Sequence, residues 1–446
     1  MLIPQRHGFD VDSRGHLIVG GMDTADLAAR FGTPLYLIDE GRMRANCRTY
    51  VEAMRAAYPG PGRVLFAGKA LCTIASCQVA YEEGLGIDVV SAGEILTALR
   101  AGVPPAALYF HGSNKTPDEI AYALDAGVGR FMVDNRHELT TLDRLACERH
   151  TKADVLLRLT PGIEPHTHKA IQTGGVDSKF GFGMLGPAAE SAVQAALAAP
   201  GIRLRGLHSH IGSQIFDLDP FVLSARALIS FAAEMRSVGF VLEELNLGGG
   251  LGIRYLADQD PPARADYVHS IGGAAFELLK GHNLPLPTLM FEPGRSIVGD
   301  AGITLYTAGA IKTVPGVRTF VSVDGGMYEN PRPALYQARY ETVVATRATE
   351  HPTQRVALAG RCCESGDVLI WDANVPEIHE GDLLAIFATG AYTYSMASNY
   401  NRYTRPALVF VRDGSAQVAV ERETLDDLVR FDRPLRSPVT RTGAPR

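Results

Sequence analysis

A lysine stands inside an otherwise apolar run of the sequence, at Lys69 in the segment VLFAGKALC (64–72). A buried ammonium without a partner is costly and usually loses its proton. One interpretation is that Lys69 lies just past a strand end and extends its ammonium to water, as lysines commonly do. The other is that Lys69 is a neutral amine that attacks a carbonyl carbon.

Three further segments carry residues that could do chemistry. His208 and His210 are spaced two apart, LGGGLG (247–252) is rich in glycine, and FEPGR contains Glu292 and Arg295. Each has an ordinary interpretation: the glycines form a turn, and Glu292 pairs with Arg295. The two histidines could bind a metal, but no nearby carboxylate or cysteine completes a ligand set. Whether these segments are functional therefore depends on whether the fold brings them together.

The middle of the chain alternates β-like runs with helical patterns such as AGEILTALRAG and PDEIAYALDAG, which end in glycine as helix C-termini often do. Eight such segments with helices between them predict a parallel (β/α)8 barrel, with a doubly wound open sheet as the alternative. The predicted strands are RVLFA (63–67), IDVV (87–90), ALYF (107–110), RFMV (130–133), DVLLRL (154–159), LRGLHSH (204–210), LEELNL (242–247) and TLMFE (288–292).

The pattern changes after about residue 300, where β-rich runs such as RTFVSVD and ALVFVRDG follow one another without long helices. This predicts a C-terminal antiparallel β domain, to which the N-terminal run HLIVGG is expected to add a strand. A chain of 446 residues is also too long for one ordinary core. We therefore predict an N-terminal segment over 1–34, a barrel over 35–297 and a β domain over 298–446.

Chemistry in a (β/α)8 barrel lies at the C-terminal ends of its strands, and phosphate is usually bound after strands seven and eight. Lys69 follows the first predicted strand, the histidine pair ends the sixth, the glycine-rich loop follows the seventh and Glu292 closes the eighth. Glycine-rich loops offer backbone N–H groups to a phosphate. Pyridoxal 5'-phosphate requires four groups of this kind: a lysine, an imidazole, a phosphate loop and a carboxylate. The lysine binds the cofactor covalently, and the carboxylate keeps its ring nitrogen protonated.

Composition excludes several other classes of protein. The net charge is −6, and the sequence has no long run of basic residues. Both observations argue against a nucleic-acid-binding protein. No apolar stretch is long enough to span a membrane, and the N-terminus lacks the apolar region of a secretory signal. Six scattered cysteines form neither a disulfide framework nor a paired zinc motif. We therefore expect a cytoplasmic enzyme.

The sequence resembles the barrel-type (fold III) pyridoxal-phosphate-dependent decarboxylases, and among them those that act on diaminopimelate. HIGSQ, EPGR, RPALY and CESGD in that order make chance similarity implausible. The matching segments run from about residue 64 to 401: FAGKA, DVVSAGEI, HGSNK, SKFGFG, HSHIGSQ, LGGGLGI, EPGRSIV, VDGGMYENPRPALY, CESGD and GAYTYSMASNYN.

The resemblance implies a role for each matching residue. Lys69 would carry the cofactor covalently, His210 would stack on its ring, and Cys363 would return a proton to the substrate, with the adjacent Cys362 as the alternative donor. Glu292 would bind the ring nitrogen and Asp88 would orient the lysine or the ring. The other cofactor-binding residues would be Ser213, Gly248, Gly249, Gly250, Pro293, Gly294, Arg295 and Tyr392, and the substrate-binding residues would be Arg295, Arg332, Tyr336, Glu364 and Tyr392.

The resemblance further implies decarboxylation of meso-2,6-diaminopimelate to L-lysine, the last step of lysine biosynthesis, by a homodimer. Cys363 and Glu364 would then come from the partner subunit. Arg332 favours a substrate with a distal carboxylate, because a guanidinium binds a carboxylate through two hydrogen bonds. The alternatives are a D-lysine, D-ornithine or polyamine-pathway decarboxylase, a racemase of the same fold, and a non-catalytic homologue, which would be expected to have lost Lys69 or Cys363.

Overall fold

A computed structural model of the chain describes residues 2–163, 175 and 178–435. The expectation that HLIVGG adds a strand to the C-terminal β domain is wrong, because this run is the central strand of a separate three-stranded antiparallel sheet in the N-terminal part. The buried side chains of Leu17 and Val19 nevertheless pack against the second, larger sheet. The elements of this part are α1 (Ile3–Arg6), β1 (Asp10–Val11), β2 (Leu17–Val19), β3 (Met22–Asp23), α2 (Thr24–Phe31) and β4 (Leu35–Asp39).

Eight parallel strands close into a barrel, which confirms the predicted fold and excludes the open sheet. They follow one another in chain order around the barrel, and the last pairs with the first. The strands are β5 (Gly62–Ala67), β6 (Gly86–Val89), β7 (Leu108–Phe110), β8 (Arg130–Val133), β9 (Ala153–Thr160), β11 (Ile202–His208), β12 (Glu244–Asn246) and β13 (Thr288–Phe291), with the short β10 (Phe182–Gly183) paired to the end of β9.

Helices connect the barrel strands, and a polar side chain caps the first turn of five of them. Thr116 and Glu119 form a capping box at the start of α6, and Gly127 ends this helix with φ of +76°. No helix in the described ranges is long and apolar enough to cross a membrane. The helices are α3 (Glu40–Ala57), α4 (Ile74–Glu82), α5 (Ala92–Arg100), α6 (Pro117–Ala126), α7 (Arg136–Glu148), α8 (Ala188–Ala198), α9 (Asp219–Met235), α10 (Arg264–Gly281) and α11 (Arg295–Val298).

The second sheet is antiparallel apart from the pairings of β15 (Arg318–Val323) with β17 (Gln354–Ala359) and of β4 with β20 (Ala407–Arg412). This confirms the predicted β domain in outline. Its other elements are β14 (Gly302–Val314), β15 (Arg318–Val323), α12 (Arg332–Tyr336), β16 (Thr342–Val344), β17 (Gln354–Ala359), β18 (Val368–Val375), β19 (Leu383–Phe387), β20 (Ala407–Arg412), β21 (Ser415–Val420) and α13 (Leu425–Val429).

The position of β4 differs from the sequence-based division, which began the barrel at residue 35. β4 pairs with β14 and β20 and thus belongs to the second sheet. The side chains of Leu35 and Leu37 are fully buried in the core of that sheet. An apolar run indicates a buried strand but not which sheet receives it.

The interior of the barrel is a small packed core. Leu65, Tyr109, Met132, Leu156 and Met290 form a cluster inside it, and all five are essentially inaccessible to solvent. A filled interior leaves only the two rims for ligands, and the C-terminal rim is the one that carries chemistry in this fold. The candidate site residues are therefore expected at the C-terminal rim.

Candidate active site

Lys69 lies on the C-terminal rim directly after the first barrel strand. β5 ends at Ala67, and the 3-10 turn Gly68–Ala70 carries the lysine. Its exposed side chain lines a cavity of about 570 Å³ and a deeper one of about 50 Å³. The two cavities share Lys69, His210, Ser213, Arg295 and Tyr392. The lysine thus extends from an apolar strand into a cleft of ligand size.

Glu292 follows β13 and is almost completely buried beside the deeper cavity. Asn246 Nδ2 donates a hydrogen bond to its Oε1 over 2.6 Å, and its Oε2 lies 3.2 Å from His208 Nε2. His111 Nε2 lies 2.8 Å from its Oε1. Burial raises the pKa of Glu292, but His111 and His208 outweigh this and hold that pKa well below its ordinary value. This carboxylate is therefore ionised, and it does not pair with Arg295.

Asp88 lies at the end of β6 and shares the deeper cavity with Glu292. Its side chain is buried, and its Oδ1 lies 3.8 Å from His111 Nε2. Burial raises the pKa of Asp88, while His111 opposes that rise. The floor of the site thus holds two carboxylates with an imidazole between them.

The glycine-rich loop after β12 needs its glycines because three loops meet there. A Cβ at Gly249 would lie 2.0 Å from Glu292 O, and one at Gly248 would lie 2.5 Å from Ser209 O. The amide of Gly249 also contacts His210 Nδ1 at 3.3 Å. Burial and the nearby Lys69 lower the pKa of His210 well below its ordinary value, so its imidazole is neutral. The loop brings bare backbone to the imidazole predicted to stack on a ring.

Two guanidinium groups, of Arg295 and Arg332, line the larger cavity and are more than nine-tenths buried. Arg295 donates to Ser213 Oγ over 3.0 and 3.3 Å and to the Tyr255 hydroxyl over 2.6 Å. Arg332 donates to the Tyr340 hydroxyl over 2.6 Å. Among the described residues neither guanidinium forms an ion pair with a carboxylate.

The electrostatic effect of these two cations is visible on Tyr255, which lies between them. Its ring centroid is 4.8 Å from the guanidinium carbon of Arg332 and 5.8 Å from that of Arg295. Burial raises the pKa of the Tyr255 phenol, but the two arginines lower it below its ordinary value. A cavity with this potential binds anions, and two separated cations suit two carboxylates.

The predicted residues divide into those that the chain brings together and those that it does not. Cys363 and Glu364 are exposed and line neither cavity. The Cys363 amide donates to Asn401 Oδ1 over 2.8 Å, whereas Cys362 is buried beside Asp367. Three predicted residues lie close along the chain to lining residues but line neither of the two cavities themselves: Gly248, Gly249 and Pro293. The predicted residues that line one or both cavities are Lys69, Asp88, His210, Ser213, Gly250, Glu292, Gly294, Arg295, Arg332, Tyr336 and Tyr392.

Several residues that the structure places in this site were not predicted to act there. His111 was present in the quoted motif HGSNK, and Asn246 directly precedes the LGGGLG loop, yet neither motif reveals that both contact Glu292. Tyr255 carried no signal of its own. β11 ends at His208, so the strand alternation that would place His208 and His210 on one face does not extend to His210.

The residues present fit pyridoxal phosphate. Asp88 Oδ1 and His208 Nδ1 are buried polar atoms without a hydrogen-bond partner among the described residues, as expected where a polar ligand completes the site. The chemistry is also matched: a lysine amine, a neutral imidazole, an ionised carboxylate and glycine backbone converge on one rim.

Comparisons with known proteins agree with this chemistry. Residues 42–299 match the family model described as pyridoxal-dependent decarboxylase, pyridoxal binding domain. The diaminopimelate decarboxylase of Bacillus subtilis is 49% identical over 429 residues, which cover 96% of this chain and 98% of that protein. A crystal structure of diaminopimelate decarboxylase from M. jannaschii in complex with L-lysine superposes with a TM-score of 0.88 at 34% identity, covering 96% of this chain and 98% of that one. The Helicobacter pylori enzyme complexed with L-lysine gives 0.83 at 31% identity, covering 92% and 98%.

Proposed function

This chain belongs to the pyridoxal-dependent decarboxylases and, within them, to the diaminopimelate decarboxylase family, and from that premise we propose that it converts meso-2,6-diaminopimelate to L-lysine and CO2 with pyridoxal phosphate. One observation carries the choice of substrate. Arg295 and Arg332 are buried guanidiniums that line the cavity of Lys69, and neither is paired with a carboxylate within the part of the chain that the structure describes. Buried charges are normally paired, so these two await anionic groups of a ligand.

Each residue has a defined task in the reaction. Bound pyridoxal phosphate supplies the electron sink for the pair left on the α-carbon when CO2 departs. Lys69 would hold it through Nζ, and Glu292 would hold its ring nitrogen as an ionised acceptor. Arg295 and Arg332 would fix the carboxylates of the substrate so that its reacting carbon is oriented. The vacated position on that carbon would then take a proton from the thiol of the partner's Cys363.

The same proposal includes a homodimer in which each subunit completes the site of the other. Its support is that Cys363 and Glu364 are exposed and line neither cavity of their own chain. A second copy could bring them to Lys69 with the two-fold reciprocity of an isologous interface. All six cysteines are free thiols, which suits the reducing cytoplasm that we propose as its location.

The first experiment is to follow CO2 release from cofactor-loaded protein incubated separately with meso-diaminopimelate, D-lysine, L-lysine and L-ornithine. We expect release from meso-diaminopimelate alone, with L-lysine as the product. Release chiefly from D-lysine or L-ornithine would retain the fold and cofactor but overturn the dicarboxylate assignment. If none of the four substrates released CO2 although the absorbance of the bound cofactor was present, the non-catalytic homologue would be favoured.

Arg332 tests the dicarboxylate assignment directly. Arg332→Gln removes a charge-assisted contact, so we expect kcat/KM for meso-diaminopimelate to fall about 10- to 100-fold. The matched control is Arg339→Gln, because Arg339 lines the same cavity but is exposed. We expect a change of less than about threefold in the control, since an exposed charge contributes little. Equal losses in both variants would contradict a specific clasp at Arg332.

Mixed dimers test the shared site. Lys69→Ala and Cys363→Ala are each expected to be inactive alone. Random pairing of the two co-expressed chains makes half of the dimers mixed, and each mixed dimer regains one intact site, so about a quarter of wild-type activity should return. Continued inactivity of purified mixed dimers would show that Lys69 and Cys363 act within one chain, and activity of Cys363→Ala alone would show that Cys363 is not required.

A further inference from the structure

His111 is a buried imidazole that lies between the two carboxylates of the site floor. Its Nε2 is 2.8 Å from Glu292 Oε1, an ion-pair distance at which hydrogen-bond geometry is not met, and 3.8 Å from Asp88 Oδ1. Its ring meets that of His208 edge to face, with centroids 4.9 Å apart. His111 lines neither cavity, so it acts on a ligand only through its neighbours.

The backbone holds His111 firmly in this position. Its amide donates to Val89 O over 2.8 Å, which fastens the end of β7 to β6. Four residues later, Lys115 Nζ donates to Gly112 O, Met132 O and Glu138 Oε1 over 3.0, 2.8 and 2.7 Å. The loop that begins at His111 is thus tied to β8 and α7 through a fully buried ammonium.

We propose that His111 is a positioning residue that fixes the Glu292 carboxylate in place and favours its ionised form, so that Glu292 keeps the ring nitrogen of the bound cofactor protonated. This inference deepens the proposed function and depends on cofactor binding by Glu292. Asn246 and His208 contact the same carboxylate from β12 and β11. His111 differs from them because its Nε2 also lies 3.8 Å from Asp88 Oδ1, so it links the two carboxylates of the site floor.

Every charged group that faces this cluster belongs to the balance. Loss of the imidazole leaves Asp88 and Glu292 as two carboxylates without their shared partner, which favours protonation of one of them. The nearest cations come from β9 and from the turn after β5. The facing titratable groups are Asp88 from β6, Glu94 from α5, Arg158 from β9, His208 from β11, His210 from the segment after β11, Glu292 from the segment after β13 and Lys69 from the turn after β5.

The test uses His111→Asn and His111→Gln, with His137→Asn on the exposed face of α7 as the matched control. The amide of glutamine reaches further towards Glu292 than that of asparagine, but it carries no charge. We expect both variants to bind pyridoxal phosphate, with the acidic limb of kcat moved upward by about one to three pH units. At pH 7 we expect kcat to fall about 10- to 100-fold in His111→Asn, less in His111→Gln, and KM to change little in either.

A second readout needs no substrate. The pH at which the absorbance of the bound cofactor changes should move in both His111 variants and stay unchanged in His137→Asn. A double-mutant cycle with Glu292→Gln completes the test. Relative to Glu292→Gln alone, the double variant with His111→Asn should differ less than about twofold in spectrum and kcat, because the two residues act as one unit. Thermal unfolding of each loaded variant separates this effect from a loss of fold.

The outcomes distinguish this inference from the proposed function. If the wild-type protein bound no pyridoxal phosphate, the proposed function itself would fail. If it bound the cofactor and His111→Asn kept the wild-type spectrum and acidic limb, only the role of His111 would be refuted. Additive effects of His111→Asn and Glu292→Gln would also refute it, since they would show that His111 acts independently of Glu292.

Discussion

Glu329 provides a quantitative test of the structure outside the reacting groups. It lies in the loop between β15 and α12 that leads to Arg332, and its side chain is fully buried. Its Oε1 accepts hydrogen bonds from the Tyr306 hydroxyl over 2.7 Å and from the Gly326 amide over 3.2 Å, whereas its Oε2 has no partner among the described residues. Burial raises the pKa of Glu329 to about 8. The folded protein therefore keeps a carboxylic acid here at neutral pH.

The sign of the pH effect follows from proton binding. In the unfolded chain Glu329 returns to its ordinary pKa of 4.5 and loses the proton that the folded chain retains. The free energy of unfolding therefore falls as pH rises from about 4.5 to about 8, and its contribution is fully lost above that range. One differential proton corresponds to about 1.4 kcal/mol per pH unit. Between pH 6 and pH 8 this single residue should remove about 2–3 kcal/mol.

Glu329→Gln isolates this effect, because an amide oxygen still accepts from Tyr306 and Gly326 but does not titrate. Urea unfolding of the loaded protein at pH 6, 7 and 8 measures the difference in unfolding free energy between variant and wild type. We expect that difference to shift in favour of the variant by about 1.4 kcal/mol per pH unit. Glu380→Gln is the control, because Glu380 is exposed. Parallel pH dependences of wild type and Glu329→Gln would refute the reasoning.

Three further substitutions test contacts of the site. Ser213→Ala removes the hydroxyl that accepts from Arg295, so KM for meso-diaminopimelate should rise about threefold to tenfold with little change in kcat, and steady-state kinetics that showed the reverse would contradict the contact. Gly249→Ala places a Cβ 2.0 Å from Glu292 O, so cofactor titration should show at least about tenfold weaker binding, and unchanged affinity would contradict the close packing. Lys115→Met leaves Glu138 buried without its cation, so urea unfolding should show a loss of about 3–5 kcal/mol.

The barrel could be predicted closely because its strands carry a local signal. Most of them are short, largely apolar runs, and the predicted run 130–133 coincides with β8. β18 was not predicted, because Trp371 and Asp372 are both exposed and break its alternation. The assignment of β4 to a sheet depended on packing against residues several hundred positions away, such as Val409. Such contacts leave no local pattern.

The site shows the same division between local and long-range information. A closed barrel brings all strand ends to one rim, so Lys69 and Glu292 could be placed together before their geometry was known. Which side chains then touch depends on reach and on the register with which the last strand pairs with the first. Asn246 reaches Glu292 across one strand pair, whereas His111 reaches it across the rim. The partners of Glu292 set its charge, and its charge decides whether the ring nitrogen stays protonated. The sequence therefore allowed Glu292 to be predicted as the residue that binds the ring nitrogen. It did not allow the neighbours that keep Glu292 ionised to be predicted.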